Sequence, residues 1–311
     1  MRAVVVEAFG DPASLTVRDV PTPEPRPGQI RIEVAAAGIN PVDTYNARDP
    51  SWAGIDAGCI LGYDVAGTVD AVGDGVSETL VGRNVMAMTA FPRGQGGYAE
   101  YAVVEESLAA YLPSDADLVA AASVPLAAGT AWEVLQKLES AGPSMLVVGG
   151  SGGVGLFLLQ LASAAGIRVV ALGQERSHDV MRTHGAAVCV DYRSVDAIAQ
   201  AADAVGGSFD SIADLVGGPL TGQAQPYLRD EGVIAAIAGP ELDVDQMIDG
   251  NQSFHGILIR DNGDRVRHLA ALLADGRLKT HVTRVLPLAE ALEAHRLVDS
   301  GEAGGKVVLK P

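Results

Sequence analysis

Cysteine is scarce. The chain holds two, Cys59 and Cys189, far apart and outside any Cys-x-x-Cys or Cys/His spacing. That inventory excludes a disulfide scaffold and a four-ligand zinc site, both of which need clustered thiolate or imidazole groups. Basic residues are also short, with 22 Lys and Arg against 39 Asp and Glu and a formal charge of -17. A surface of that sign repels a phosphate backbone, so nucleic-acid binding is not expected. Long apolar runs are missing as well: none reaches the roughly 18 residues that read as a membrane span. The opening MRAVVVEAFGDP lacks the extended apolar core of a signal peptide and reads directly as a strand. A cytoplasmic location is expected by default.

Glycine, by contrast, is abundant at 37 residues, in a chain that is 48 % hydrophobic and 20 % charged. This is a globular balance, with many short turns between buried strands and packed helices. With 311 residues the chain is long enough for two domains.

The first third reads as strands and turns. Val/Ile/Ala runs at 2–7, 30–36, 65–72, 83–88 and 98–104 are bounded by Gly, Asp or Pro. The connector PTPEPRPG, residues 21–28, places four prolines in eight residues, which neither a helix nor a central strand tolerates. Short strands at this spacing suggest a partly open antiparallel barrel.

The texture changes near residue 118. Residues 118–138 read as helical, with a break expected around Pro125 and Gly129. Short buried-strand runs at 144–148, 168–172, 187–190, 211–215 and 232–238 then alternate with helical patterns at 153–165, 178–184 and 195–205. Such alternation implies βαβ units and a doubly wound parallel sheet. The tail, with helical stretches at 265–274 and 288–300 and strands at 282–285 and 306–309, is too short for a domain of its own and is expected to complete the first. The expected division is 1–118 completed by 262–311, and 119–261.

The strongest local motif is MLVVGGSGGVGLFLLQLA, residues 145–162. Gly150, Gly152 and Gly155 form GxGxxG after an apolar strand and at the opening of a helix, the context that gives the pattern meaning. Glycine serves three ends here: a tight turn, approach of backbone N–H groups to a pyrophosphate, and close packing of helix on strand. Ser151, Gly153 and Val154 complete the loop, whose helix N-terminus favours an anion.

A site for NAD places Asp or Glu at the end of the second strand to bind the ribose hydroxyls. Here that strand runs into GQERSHD, with Gly173 and Gln174 first and Glu175 late. Gln174 reads as a cofactor-binding residue, and Arg176, Ser177 and His178 are suited to cradle a 2′-phosphate, since a guanidinium bonds two phosphate oxygens at once. NADPH is the expected cofactor.

Four segments together identify a resemblance: AAAGINPVDTYNARDP (35–50), LGYDVAGTVDAVG (61–73), GGYAEYAVV (96–104) and GGSGGVG (149–155). They resemble the zinc-independent quinone oxidoreductase and zeta-crystallin group of the medium-chain dehydrogenase/reductase superfamily, along the full length of the chain. The resemblance implies an α/β fold with a GroES-like, partly open β-barrel catalytic domain and a Rossmann domain, NADPH use, and a homodimer. In zinc-dependent relatives a ligand cysteine stands where this chain has Asn40, and Gly-His-Glu stands where it has Gly62-Tyr63-Asp64. The ligands are gone, so no metal is expected.

The resemblance also implies that Asn40, Asp43 and Tyr45 line the nicotinamide and substrate pocket. Asn40 would position a carbonyl, Tyr45 would donate to an oxygen that gains charge, and Asp43 would orient its neighbours. Asn-Pro and Asp equally favour a turn after a strand. By the same comparison Thr130 lies near the nicotinamide and Tyr192 near the adenine. The stretch 46–56, NARDPSWAGID, departs from the group, and Trp52 either replaces an aromatic pocket wall or packs in a loop. The expected function is hydride transfer from NADPH to a quinone or an α,β-unsaturated carbonyl. An alkenal or enoyl reductase on the same site, or an NADPH-binding crystallin-like or regulatory protein without turnover, are the alternatives.

Overall fold

In a computed structural model of the chain, residues 1–10, 14–91 and 96–311 are described. Asp11 and Pro12 of the opening motif lie outside them. Strands β1 (Arg2–Val6) and β2 (Leu15–Asp19) form an antiparallel pair. Next comes the eleven-residue β3 (Gln29–Ile39), in which Ile30, Ile32 and Val34 alternate inward before the run Ala36–Ile39 is buried throughout. The helix α1 (Pro41–Arg48) follows directly, with Pro at its first position, where the missing N–H costs nothing.

Strands β4 (Asp64–Val72), β5 (Asn84–Met88), β6 (Tyr101–Glu105) and β7 (Ala109–Tyr111) complete this part. β3 is its spine. One side pairs with β4 along nearly its whole length, with two register shifts that bend both strands. The other side pairs with β6 at Gln29–Glu33. Tyr98 and Ala99, expected within β6, pair instead with β1.

Two helices, α2 (Leu118–Ala122) and α3 (Pro125–Leu138), lead on. Their break falls at Ser123–Val124, because Pro125 opens the second helix. Gly129 does not break it and lies buried inside α3. The alternating elements then follow: β8 (Ser144–Val148), α4 (Gly153–Ala164), β9 (Arg168–Gly173), α5 (His178–Thr183), β10 (Val188–Asp191), α6 (Ala197–Asp203), β11 (Phe209–Asp214), α7 (Pro219–Ala224), β12 (Leu228–Ala236), α8 (Val244–Asp249) and β13 (Ser253–Gly256). All six strands run parallel in the order β10-β9-β8-β11-β12-β13. The order steps outward from β8 in both directions, which is the doubly wound Rossmann arrangement.

The tail forms α9 (Gly263–Ala274), β14 (Val282–Pro287), α10 (Ala291–Asp299) and β15 (Lys306–Lys310). β15 returns to the first sheet, pairing Val307–Leu309 with the far end of β3. That sheet is GroES-like, ordered β14-β15-β3-β4-β5-β7 with β6 also on β3. The chain thus divides into two compact units, Met1–Gly129 with Arg260–Pro311, and Thr130–Ile259. Each has its own apolar core, around Val4, Ile32, Val69 and Leu309 in the first and Leu146, Val170, Phe209 and Ile234 in the second. Among the described residues no helix is long and apolar enough to cross a membrane.

Candidate active site

In the unit 130–259 the site is made of main chain. The five residues of β8 are all buried and deliver the chain to Gly149 at φ +90°, a conformation that favours glycine. The tight turn therefore falls on Gly149, one residue before the first glycine of the motif. Gly150 donates its N–H to the Leu172 carbonyl (3.0 Å), which ties the loop to β9. At Gly155 a Cβ would lie 2.3 Å from the Gly149 carbonyl oxygen, so α4 rests on the loop with no room for a side chain. Gly152, the residue that caps α4, differs: a Cβ there would meet nothing nearer than Gly149 O at 3.5 Å. Open ground thus lies before the first turn of a twelve-residue helix, whose leading N–H groups lack intrahelical partners and carry positive partial charge. Ser151, Gly153 and Val154, all half-buried, share that turn. This cradle fits a pyrophosphate.

At the same C-terminal edge, β9 ends at Gly173 opposite Asp191, the last residue of β10. Gln174 donates from Nε2 to the Tyr192 hydroxyl (3.3 Å), and the Arg193 guanidinium stands 5.5 Å from the Tyr192 ring centre. Asp191 accepts the N–H groups of Arg193 (2.9 Å) and Glu175 (3.2 Å), which hold its carboxyl below the usual carboxylate range. Arg176 is exposed and Ser177 half-buried. Sequence reasoning passed over Arg193, although it follows Tyr192 directly in VDYRS. Thr130 is buried in the middle of α3.

In the other unit the site is made of buried side chains. Asn40 joins β3 to α1 and is 2 % exposed. Its Nδ2 donates to Asp64 Oδ2 (2.9 Å), while its Oδ1 accepts from Lys306 Nζ (2.6 Å). Lys306 also donates to the Ile39 carbonyl (2.9 Å) and lies 3.7 Å from Asp64 Oδ2. The second oxygen of Asp64 accepts the Leu126 N–H at 2.7 Å, in the first turn of α3. Burial pushes Asp64 up and Lys306 down, and their mutual attraction opposes both shifts. The signal for Lys306 was a lysine inside the otherwise apolar run KVVL.

Asp43 is fully buried, and its Oδ2 accepts the Asn40 N–H (2.8 Å), which closes the start of α1. Burial pushes its carboxyl up to about 7, against the pull of the Asn40 N–H and the Tyr98 phenol. The Tyr98 phenol is itself raised well above its ordinary value, by burial and by the Asp43 carboxylate. Tyr45, one turn into α1, is 58 % exposed. The structure thus joins Asn40 and Asp43 in one buried network and turns Tyr45 outward from it.

The segment that departs from the group also takes a definite place. Trp52, 45 % exposed, packs at 5.8 Å on the buried Phe91, whose ring lies 5.0 Å from that of Tyr63. The Tyr63 hydroxyl accepts from Asn46 Nδ2 (2.8 Å). An aromatic wall with one exposed face results, built from residues that no single motif contains.

Two family models match the chain: an alcohol dehydrogenase GroES-like domain over residues 26–114 and a zinc-binding dehydrogenase domain over 184–309. Among curated proteins, the chain is 31 % identical to an NADPH-dependent alkenal/one oxidoreductase, chloroplastic, of Arabidopsis thaliana, covering all of this chain and 80 % of that one. It is also 31 % identical to a quinone oxidoreductase of Sus scrofa, over 99 % and 97 % of the two chains. A mycobacterial protein solved in complex with NADPH superposes over the whole of both chains with a TM-score of 0.86 and 30 % identity.

The second family description brings in a zinc ion, and the donor set here does not fit one. Among the described residues no three His, Cys, Asp or Glu side chains gather. Asn40 and Asp64 already face the Lys306 ammonium, which repels a metal cation from the same ground.

Proposed function

This chain belongs to the quinone oxidoreductase group of the medium-chain dehydrogenase/reductase superfamily, and on that premise we propose that it reduces a quinone or an α,β-unsaturated carbonyl with NADPH and without a metal ion. The observation that carries the reading is the open cradle at Gly152, before a helix N-terminus. NADPH, when bound, supplies a hydride from its nicotinamide ring. Everything else falls to the chain.

The loop Gly150–Gly155 holds the pyrophosphate, through the N–H groups of Gly153, Val154 and Gly155 in the first turn of α4. Gln174, Arg176 and Ser177 take the 2′-phosphate, Tyr192 stacks on the adenine, and Thr130 lies beside the nicotinamide. The unit Thr130–Ile259 is thereby the cofactor domain, and Met1–Gly129 with Arg260–Pro311 the catalytic one. Tyr45, exposed on α1, donates to the acceptor oxygen that gains negative charge as hydride arrives. Asn40 and Asp43 support it from the buried side. Hydride and one proton make the two-electron reduction complete, and water supplies the proton to the hydroquinone or enolate oxygen. The exposed face of Trp52 suits a flat conjugated acceptor.

We extend the proposal to a homodimer. β13 is an edge strand of the parallel sheet, and Phe254, Leu258 and Ile248 stand exposed on and beside it. An open edge with apolar side chains is satisfied by a second copy. The reading keeps a cytoplasmic setting, and a net charge of -17 keeps nucleic acid outside it.

The test is cofactor oxidation by chelator-treated protein with NADPH or NADH, offered quinones and alkenals in turn. Undiminished, NADPH-selective turnover is expected. Loss of turnover on chelation, or equal use of NADH, would overturn the reading.

A further inference from the structure

Lys306 has no task in the reading above, yet its side chain is only 4 % exposed. Keeping a charge in a dry core is costly, and exchanging a buried ion pair for apolar residues is often neutral or stabilising. The return for the charge is therefore to be sought in what it orders. Its three N–H bonds face three groups: the Ile39 carbonyl (2.9 Å), Asn40 Oδ1 (2.6 Å) and the Asp64 carboxylate (3.7 Å). The first two belong to the junction between β3 and α1, the helix that carries Tyr45. The Asn40 amide spans from ammonium to carboxylate, an arrangement that leaves it one orientation, since its oxygen can only accept and its nitrogen only donate. Asp64 passes the order on to the first turn of α3 through the Leu126 N–H.

We propose that Lys306 is the resident cation of the acceptor side, a positioning residue that fixes the β3–α1 junction through Asn40 and so sets the place of Tyr45. It does by hydrogen bonding and charge what a metal ion would do by coordination. The proposal rests on the reductase reading for the role of Tyr45.

The competing description is an ordinary ion pair that stabilises the fold by neutralising Asp64. Lys306→Met alone does not separate the two, because it leaves a buried carboxylate uncompensated and lowers Tm on either account. The double variant Lys306→Met with Asp64→Asn separates them, since neither charge remains while Asn40 still lacks its donor. The proposal expects Tm to recover toward the wild-type value. Amide hydrogen exchange at residues 45–49 should stay about tenfold faster than in wild type, with the amides of β8 and β9 unchanged. It also expects the KM for a quinone to stay about tenfold raised, with NADPH affinity unaltered. Lys306→Arg, which keeps charge and donors, should restore much of the protection in α1. Wild-type exchange in α1 together with wild-type KM in the double variant would overturn the proposal. Should the wild-type chain reduce no acceptor at all, the reductase reading fails, and the exchange measurement alone still decides whether Lys306 holds the junction.

Discussion

The candidate sites of the two units are built from opposite materials. The proposed cofactor half is built on main chain: a strand, a left-handed glycine, a cradle of N–H groups and a helix end. The proposed acceptor half is a network of buried side chains, Asn40, Asp43, Asp64 and Lys306. A main-chain site is damaged by adding atoms, because it depends on space left empty. A side-chain site is damaged by removing them, because Asn40, Asp64 and Lys306 satisfy one another.

The contrast is sharpest among the loop glycines. Gly155→Val drives a Cβ to within 2.3 Å of the Gly149 carbonyl, and we expect it to destabilise the protein by about 3 kcal/mol, read as a fall in Tm. Gly152→Val meets only an ordinary contact at 3.5 Å, so Tm should hold while NADPH affinity falls about a hundredfold in a binding titration. Equal effects of the two substitutions on Tm would break the distinction between packing and binding glycines.

On the acceptor side, pH provides the next largest effect. The Asp43 carboxyl is pushed up from 3.8 to about 7 by burial, so the folded protein keeps a proton that the unfolded chain releases. Stability from this group is present at acid pH and is lost as pH rises from about 4 through about 7, by about 1.4 kcal/mol per pH unit within that window. Asp43→Asn removes that slope. Thermal melts at a series of pH values should show a flatter profile for the variant, and an unchanged profile would mean that Asp43 does not carry the proton. His295, buried on α10 and pulled down to about 4 by desolvation, contributes with the opposite sign between its ordinary value of 6.5 and about 4. The Asp43 slope is therefore cleanest near neutral pH.

The smallest effect belongs to an exposed side chain at the end of β9. Arg176→Ala should narrow the preference for NADPH over NADH about tenfold, because water competes for an exposed guanidinium. An unaltered ratio would move the 2′-phosphate contact elsewhere.

The same division of materials decides what could be read from the sequence. β8 was legible to the residue, since Ser144 and four apolar residues stand between Pro143 and Gly149 and leave no other register. The glycine loop was legible because backbone geometry is written in local spacing, although the turn itself fell on Gly149. α1 was not, because PVDTYNAR has no apolar stripe and is held by a buried aspartate and by the proline at its start. β13 was hidden by its short, largely exposed run at a sheet edge. The partnership of Lys306 with Asn40 spans 266 residues of sequence, and no local pattern announces it. Charge networks of this kind become visible only when the strands that carry them are paired.

The most direct test of the central claim follows the hydride itself. NADPH deuterated at the nicotinamide C4 position, prepared as each of its two diastereomers, is given to chelator-treated protein with an alkenal, and the saturated product is weighed by mass spectrometry. The account predicts that one diastereomer leaves a single deuterium on the β-carbon of the product and the other leaves none. A reduced product without deuterium from either, or tight NADPH binding with no reduction of any quinone or alkenal, would contradict it.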